Sequence, residues 1–591
     1  MPNFSAFTFP APVRGWLRSG TQLGAPADAA EVLDNFFVTA SGAELRKGKV
    51  KYATLGASVV RLMTYRSATE SLFASTAVGI FNISVVVDPL AAPVPAVTGT
   101  SSGDWSSVQM SSAGGEFLVA VNGTDYAQYF NGTAWHPIAA AEVFALTYDA
   151  LTAAFAPGET VTGGTSGATA AIIGIAPTTA TAGILKVGAI TGTFQDNEAI
   201  TSAAGAAVAN IPSGTASASA VAITNVDTRD LTQVWSFKER LFFAEKGTQS
   251  AWYLPTESIG GAASELDLGS VFRRGGTISF GGAWSLDAGD GIDDVCVFVS
   301  SGGEIAVYEG NNPGSAATWA LAGVYDIGEP LDKHANFRAG GDLAILTEDG
   351  IVSVAGALRK DRAALQGDAT TFPIQDEWQV AVQRRAGSFP ISATLWQSGA
   401  MLLVGVPAAA GGTPQAFIAN ARTGAWSRFT GWDVRCGTVS NDRLYFGSDD
   451  GAVYRAYSGG TDDGVQYSGV YIPKAQGGND GRLKIASRVA VSARVSKPFE
   501  LTARAFADYA VGEITAPAPL GAEDGTRWGS IVWGAFVWGG GTARQVKTVW
   551  KTVGARGYAL APGFSVTSSQ TSDPVFEIVS TQIRFEAGSP L

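Results

Sequence analysis

RLFFAEKGTQSAWYL, residues 240–254, is an apolar strand, a short break carrying Gly247, and a second strand of alternating character. The same pattern returns as SLFASTAVGIFNIS (71–84), EFLVAVNGTDYAQYF (116–130), VCVFVSSGGEIAVY (295–308), LAILTEDGIVSVAG (343–356) and RLYFGSDDGAVYRAY (443–457). Glycine-bearing breaks supply the backbone angles that two-residue hairpin turns require, and flanking alternation lets each strand bury a face. Each unit therefore reads as a β-hairpin. The turn glycines Gly79, Gly123, Gly247, Gly303, Gly350 and Gly451 lie 44, 124, 56, 47 and 101 residues apart. The 124-residue step falls to 44 without an insertion of about 80 residues, and the 101-residue step holds a further hairpin, AMLLVGVPAAAGGTPQAFIAN (400–420).

The remaining period of about 45–55 residues suits four-stranded propeller blades, each too thin to bury its own faces and so obliged to stack on its neighbours. The expectation is an all-β chain, a β-propeller of six to seven blades, with an inserted small β module and a C-terminal β domain. Its parts are an N-terminal docking segment (1–58), blades (59–145), the insertion (146–225), more blades (226–469) and the C-terminal domain (470–591). The insertion is rich in Ala, Thr, Gly and Ser and repeats internally, FAPGETVT (155–162) answering FQDNEAIT (194–201). Apolar β-formers at regular positions mark it as folded rather than as a linker. One short helix is expected, PADAAEVLDNFF (26–37), with Pro26 near its start and Val32, Leu33, Phe36 and Phe37 on one side.

Only 16% of the 591 residues are charged, while glycines number 73 and tryptophans 15, the composition of a turn-rich β protein. No apolar run approaches the roughly 20 residues of a membrane helix. The N-terminus lacks the pattern of a signal or transit peptide, so synthesis in a cytoplasm is expected. Two cysteines, Cys296 and Cys436, argue against a disulfide framework or a cysteine zinc cluster. A net charge of −12 disfavours wrapping nucleic acid. The first 70 residues run the other way, with eight basic and five acidic side chains. Arg14, Arg18, Arg46, Lys47, Lys49 and Lys51 are accordingly the candidates for docking onto an acidic neighbour.

A catalytic set is not legible. His136 and His334 are the only histidines, which excludes a multi-histidine metal site, and no Gly-x-Ser-x-Gly elbow is present. GAELRKGKV (42–50) misses the phosphate-loop spacing and has Val50 where Ser or Thr would hold magnesium. DAGDGIDD (287–294) gathers four aspartates at a spacing unlike a calcium loop, which favours a solvated turn between strands. Trp252, Tyr253 and Trp284 suit a sugar platform or blade packing. Trp528, Trp533 and Trp538, five residues apart, leave a domain core and an aromatic subunit interface both open. Asn82, Asn122 and Asn131 head Asn-x-Ser/Thr triplets that read as turns. No cofactor and no metal are expected.

The segments APVRGW…LDNFFVTASGAELRKGKVKYATL (11–55), GGEFLVAVNGTDYAQYFNGTAW (114–135) and RLFFAEKGTQSAWYLP (240–255) resemble a family of bacteriophage virion proteins. VFVSSGGEIAVYEGNNPGSAATWALAGVYDIGEPL (297–331) and GGDLAILTEDGIV (340–352) continue a likeness to the tail nozzle, or tail tubular protein B-like, component of short-tailed phages. The resemblance implies a propeller subunit without enzymatic activity, assembled in the host cytoplasm into the virion tail. It implies a homo-oligomeric ring, a hexamer, below the adaptor or head-to-tail connector ring, with tail fibres or spikes as further partners and genomic DNA in transient passage. No membrane insertion is implied. The competing readings are a propeller-fold glycan hydrolase or lyase and a receptor-binding adhesin of the tail.

Overall fold

A computed structural model describes residues 4–20, 25–112, 115–138, 144–156, 158–177, 179–209, 221–287, 292–385, 389–409, 411–478, 481–495, 499–517, 544–568 and 573–588. The chain divides into two compact units, one of Ala53–Ala369 with Gly447–Val453, the other of Met1–Tyr52, Thr370–Phe446 and Tyr454–Leu591. Trp528, Trp533 and Trp538 lie outside the described residues, as do residues 288–291 of the aspartate-rich turn.

In the first unit the sequence hairpins are the second and third strands of antiparallel meanders. Ser71–Thr76 pairs with Gly79–Asn82, Gly115–Val121 with Ala127–Phe130, Arg240–Glu245 with Ser250–Tyr253, Ile292–Ser300 with Glu304–Gly310, and Asp342–Thr347 with Gly350–Ser353. The first four carry an outer strand on each side. The fifth stops at three strands, because after Ser353 the chain turns into the helix Val354–Ala357, whose first turn the Ser353 hydroxyl caps by accepting from the Gly356 N–H. Only Ala77-Val78 and Glu348-Asp349 are two-residue links; the other three turns run to three, four and five residues, correcting the expectation of uniformly tight turns. Gly123 holds a φ of 76°, whereas Gly79 is kept small by a close approach: a Cβ there would stand 2.3 Å from the Val97 carbonyl oxygen.

Alternation along these strands divides their side chains between two neighbours. Leu118 and Ala120 pack with Met63, Tyr65 and Phe73 of the preceding meander, while Val119 and Val121 pack with Val234, Leu241 and Phe243 of the following one. Phe242 and Ala244 in turn face Cys296 and Phe298. A strand buried on both faces reads as an almost unbroken apolar run, as LFFA and VCVFV do. The first strands of successive meanders are also neighbours, Ser106–Ser112 beside Leu231–Phe237 and the latter beside Ile278–Asp287. Face-to-face stacking with first strands innermost is the propeller arrangement.

The insertion is a closed barrel of six strands, Phe144–Ala153, Gly183–Thr191, Thr169–Pro177, Thr160–Gly163, Ala199–Thr201 and Ala206–Ala209 in spatial order. Its two sequence repeats form equivalent halves. Phe144–Ala153 pairs with its counterpart Gly183–Thr191, and Thr160–Gly163 with its counterpart Ala199–Thr201. Gly158 and Asn197, equivalent in the repeat, both hold positive φ, 89° and 60°. The equivalent glutamates each reach into the other half: Glu159 accepts from the Ser202 hydroxyl (2.5 Å) and Ala204 N–H (3.3 Å). Glu198 accepts from the N–H groups of Thr165 and Ser166, the Ser166 hydroxyl, and the nearby Gln195 N–H. Burial pushes the Glu198 carboxyl up, but these donors outweigh it and hold the group below the ordinary glutamate value.

In the second unit, Ser392–Trp396, Met401–Val406, Gln415–Asn420 and Trp426–Thr430 make another meander. Its sheet continues through Gly15–Trp16, Ala29–Asp34, Ser468–Pro473, Leu560–Thr567 and Thr502–Ala507. A further sheet joins Phe36–Val38, Ala43–Leu45, Phe576–Ala587, Lys484–Val495 and Gln545–Gly557, with Phe4–Pro10 also on Phe576–Ala587. Another meander-like sheet, not confined to the second unit, runs Cys436–Ser440, Arg443–Gly447, Ala452–Arg455, Val50–Thr54. The protein is thus an all-β propeller with an inserted barrel and a C-terminal β region, and five of its blade-like sheets lie in the first unit.

Two expectations are corrected here. The helix over 26–37 is instead the strands Ala29–Asp34 and Phe36–Val38, separated by Asn35 at a φ of 61°. Pairing with Ser468–Pro473 and burial of Ala29, Ala30, Leu33 and Phe36 override the local helical pattern. A ten-residue helix forms where none was expected, Gln375–Arg384, burying Trp378, Ala381 and Val382 on one face. In addition, neither 1–58 nor 470–591 stands alone: the C-terminal strands share two sheets with strands from the first 45 residues.

Candidate functional site

The six basic residues singled out for docking are engaged within their own unit. Arg46 is fully buried; its guanidinium makes a two-pronged pair with Asp462 (2.7 and 2.8 Å), donates to Asn35 Oδ1 and the Thr430 carbonyl, and sits over the rings of Tyr467 and Trp432. Lys49 is also buried, its ammonium 3.1 Å from the Gly431 carbonyl and above the Tyr454 ring. Neither can reach a partner, which removes both as docking contacts. Arg18 is held by Glu31 and, at 3.3 Å, by Glu377; Lys51 lies 3.7 Å from Asp463. Lys47 pairs with Asp573 at 2.5 Å, and Arg14, with 64% of its side chain exposed, pairs with Asp28 at 3.2 Å.

The densest polar cluster lies elsewhere, in the first unit. Asp104, just ahead of the strand Ser106–Ser112, receives Arg61 Nε (2.9 Å) and Lys333 Nζ (3.0 Å), with His334 Nε2 at 3.0 Å. Arg61 also reaches Asp332 (3.4 Å), and Gln233 donates to the Lys333 carbonyl (2.6 Å) while accepting from the Ser106 hydroxyl (2.5 Å). Burial opposes ionisation of Asp104, but His334, Arg61 and Lys333 together hold its carboxyl far below the usual aspartate range. Burial, reinforced by the Arg61 charge, pushes His334 down against the pull of Asp104, so the imidazole is neutral at pH 7.

The Ser106 hydroxyl donates to Gln233 rather than to the imidazole, so it does not serve this His–Asp pair as a nucleophile. What the cluster does is tie the first, second, third and fifth meanders together at their inner strands. Nothing local in the sequence marks it, since Arg61, Asp104, Gln233 and His334 are far apart along the chain. The other histidine, His136, stacks on Tyr129, and its Nε2 is 3.1 Å from Asn131 Nδ2. Asn122 and Asn131 close their turns with the side-chain oxygen, accepting from Thr124 and Asp125 and from Thr133 and Ala134. Trp284 is buried, and Trp252 and Tyr253 pack into opposite faces of their blade, so these three do not form a platform. Neither cysteine is in a disulfide and both are buried, and burial pushes the Cys296 thiol up to about 12. Among the described residues no group of three or more His, Cys, Asp or Glu could hold a metal, and no helix is long and apolar enough to cross a membrane.

No known family matches the chain, and no curated protein does. Among solved structures it is similar to the computationally designed Ika8 protein, at 10% identity over 70% of this chain and 99% of that one, with a TM-score of 0.31. YCF48 from Cyanidioschyzon merolae matches at 10% identity over 70% and 98%, TM-score 0.26. BBS1N, in a complex with ARL6DN, matches at 12% over 51% and 94%, TM-score 0.21. Scores this low transfer no role, and the fold assignment rests on the strand order itself.

Proposed function

We propose that this chain is a structural virion protein, the repeating subunit of a tail nozzle ring that extends the tail channel of a short-tailed phage below the adaptor ring. The observation that carries the reading is the resemblance of residues 11–55, 114–135, 240–255, 297–331 and 340–352 to that family. The propeller with an inserted barrel supports it. The Arg61–Asp104–Lys333 cluster joins non-adjacent blades of the first unit through their side chains. A DNA conduit in this reading lies between copies, around a ring axis. An acidic wall keeps DNA from adhering, because each favourable phosphate contact would brake its passage.

Electron microscopy of the purified chain, and of virions carrying it labelled, tests the proposal. Closed rings and label at the tail below the adaptor are expected. A monomer that degrades a host polysaccharide, or one that binds cells by itself, overturns it in favour of the hydrolase or the adhesin.

A further inference from the structure

An open pocket of about 320 Å³ in the second unit is lined by Lys47, Trp396, Arg443, Arg455, Tyr457 and Asp573. The two arginines occupy the open end of one hairpin, Arg443 at the start of the strand Arg443–Gly447 and Arg455 at the end of Ala452–Arg455. Ala456 N–H donates to the Leu444 carbonyl at 2.8 Å, so the two cations come from neighbouring positions across the strands. In that register they are diagonal neighbours, both projecting from one face of the hairpin. Among the described residues neither arginine has a carboxylate within ion-pair distance; Arg455 donates only to the Ser458 hydroxyl, at 3.1 Å. Nearby Asp442 is turned to the indole of Trp396 and the hydroxyl of Ser398.

We propose that this pocket binds a carboxylate side chain from an acidic peptide segment of a partner protein. The chain's own Asp573 displays the chemistry: its carboxylate is held by Lys47 at 2.5 Å and by the Gly459 N–H at 3.0 Å. Beside it, two arginine forks of the shape that grips a carboxylate two-pronged stand without a carboxylate among the described residues. Trp396 and Tyr457, edge to face at 6.1 Å, offer an apolar wall for the residue next to the acid. Nucleic acid is the poorer fit. Tracking a phosphate backbone takes an extended basic groove, and here a single concavity with three cations sits in a chain of net charge −12.

The test uses the purified full chain and needs no ring assembly, so its result is independent of the nozzle reading. A fluorescein-labelled Asp-Glu-Asp-Glu peptide is titrated by anisotropy, with an all-alanine peptide and a ten-nucleotide oligo-dT as comparisons. Saturable binding of the acidic peptide alone is expected, weakened at least tenfold by the double substitution R443Q/R455Q at unchanged melting temperature. If the double variant does not fold, R443K at the exposed position serves, with a several-fold loss expected because the charge stays and the fork goes. Absence of saturable binding, or binding unchanged in the variants, overturns the proposal. So does oligo-dT binding more tightly than the peptide and lost in the same variants, which would make the pocket a nucleic-acid contact.

Discussion

Arg46 and Asp462 are 0% and 10% exposed on their side chains, and removing one partner of such a pair strands the other. Arg46→Met should therefore cost about 3–5 kcal/mol of stability, read as a lowered urea midpoint, whereas an exposed docking residue would shift it hardly at all. Arg46 looked from the sequence like one more cation in a basic run, and only the rings and carboxylate gathered from residues 429–467 show it to be interior. His334 gives a pH signature. Its folded pKa lies below the unfolded 6.5, so the unfolded chain binds the extra proton and stability falls as pH drops below about 6.5. With only two histidines in the chain, little else titrates there. His334→Gln should flatten the fall in urea midpoint between about pH 7 and 5.5; an unchanged slope would place the titrating group elsewhere. The Asp104 contribution is of the opposite origin, present above the unfolded value of 3.8 and lost in more acid solution.

The barrel and the blade hairpins are the elements most legible in the sequence, for a common reason: strand alternation, turn residues and a short repeat are local. Repetition of Phe-x-x-[Gly/Asn]-Glu-x-[Val/Ile]-Thr identified two equivalent pieces, though not that each glutamate braces the other piece's turn. Glu198→Ala leaves several turn N–H groups without their acceptor and should destabilise the barrel by about 1–3 kcal/mol, seen as faster amide exchange in 144–209 with blade exchange unchanged. Glu159→Ala removes a carboxylate with fewer donors and should have the smaller effect in the same experiment. The strand Ala29–Asp34 was illegible because its antiparallel partner, Ser468–Pro473, lies more than 400 residues downstream, while Phe36–Val38 pairs close by with Ala43–Leu45. In such a case the 3.6-residue pattern of the segment is outvoted by sheet pairing.

At the scale of the molecule, the first 55 residues contribute strands to three sheets, along with Arg46. Deleting them should yield an insoluble or unfolded chain by circular dichroism. A soluble, cooperatively melting product would show those strands to be dispensable. The sequence by itself determined the repeating blade, the inserted duplicated module and the scarcity of catalytic groups, because these follow from periodicity and composition within windows of a few dozen residues. Tertiary structure decided which basic residues are interior, which carboxylate stands among cations, and which two arginines face a pocket with no carboxylate in ion-pair reach of them among the described residues. Those outcomes depend on contacts between positions hundreds of residues apart, where burial and Coulomb energy are set by neighbours that no local pattern specifies.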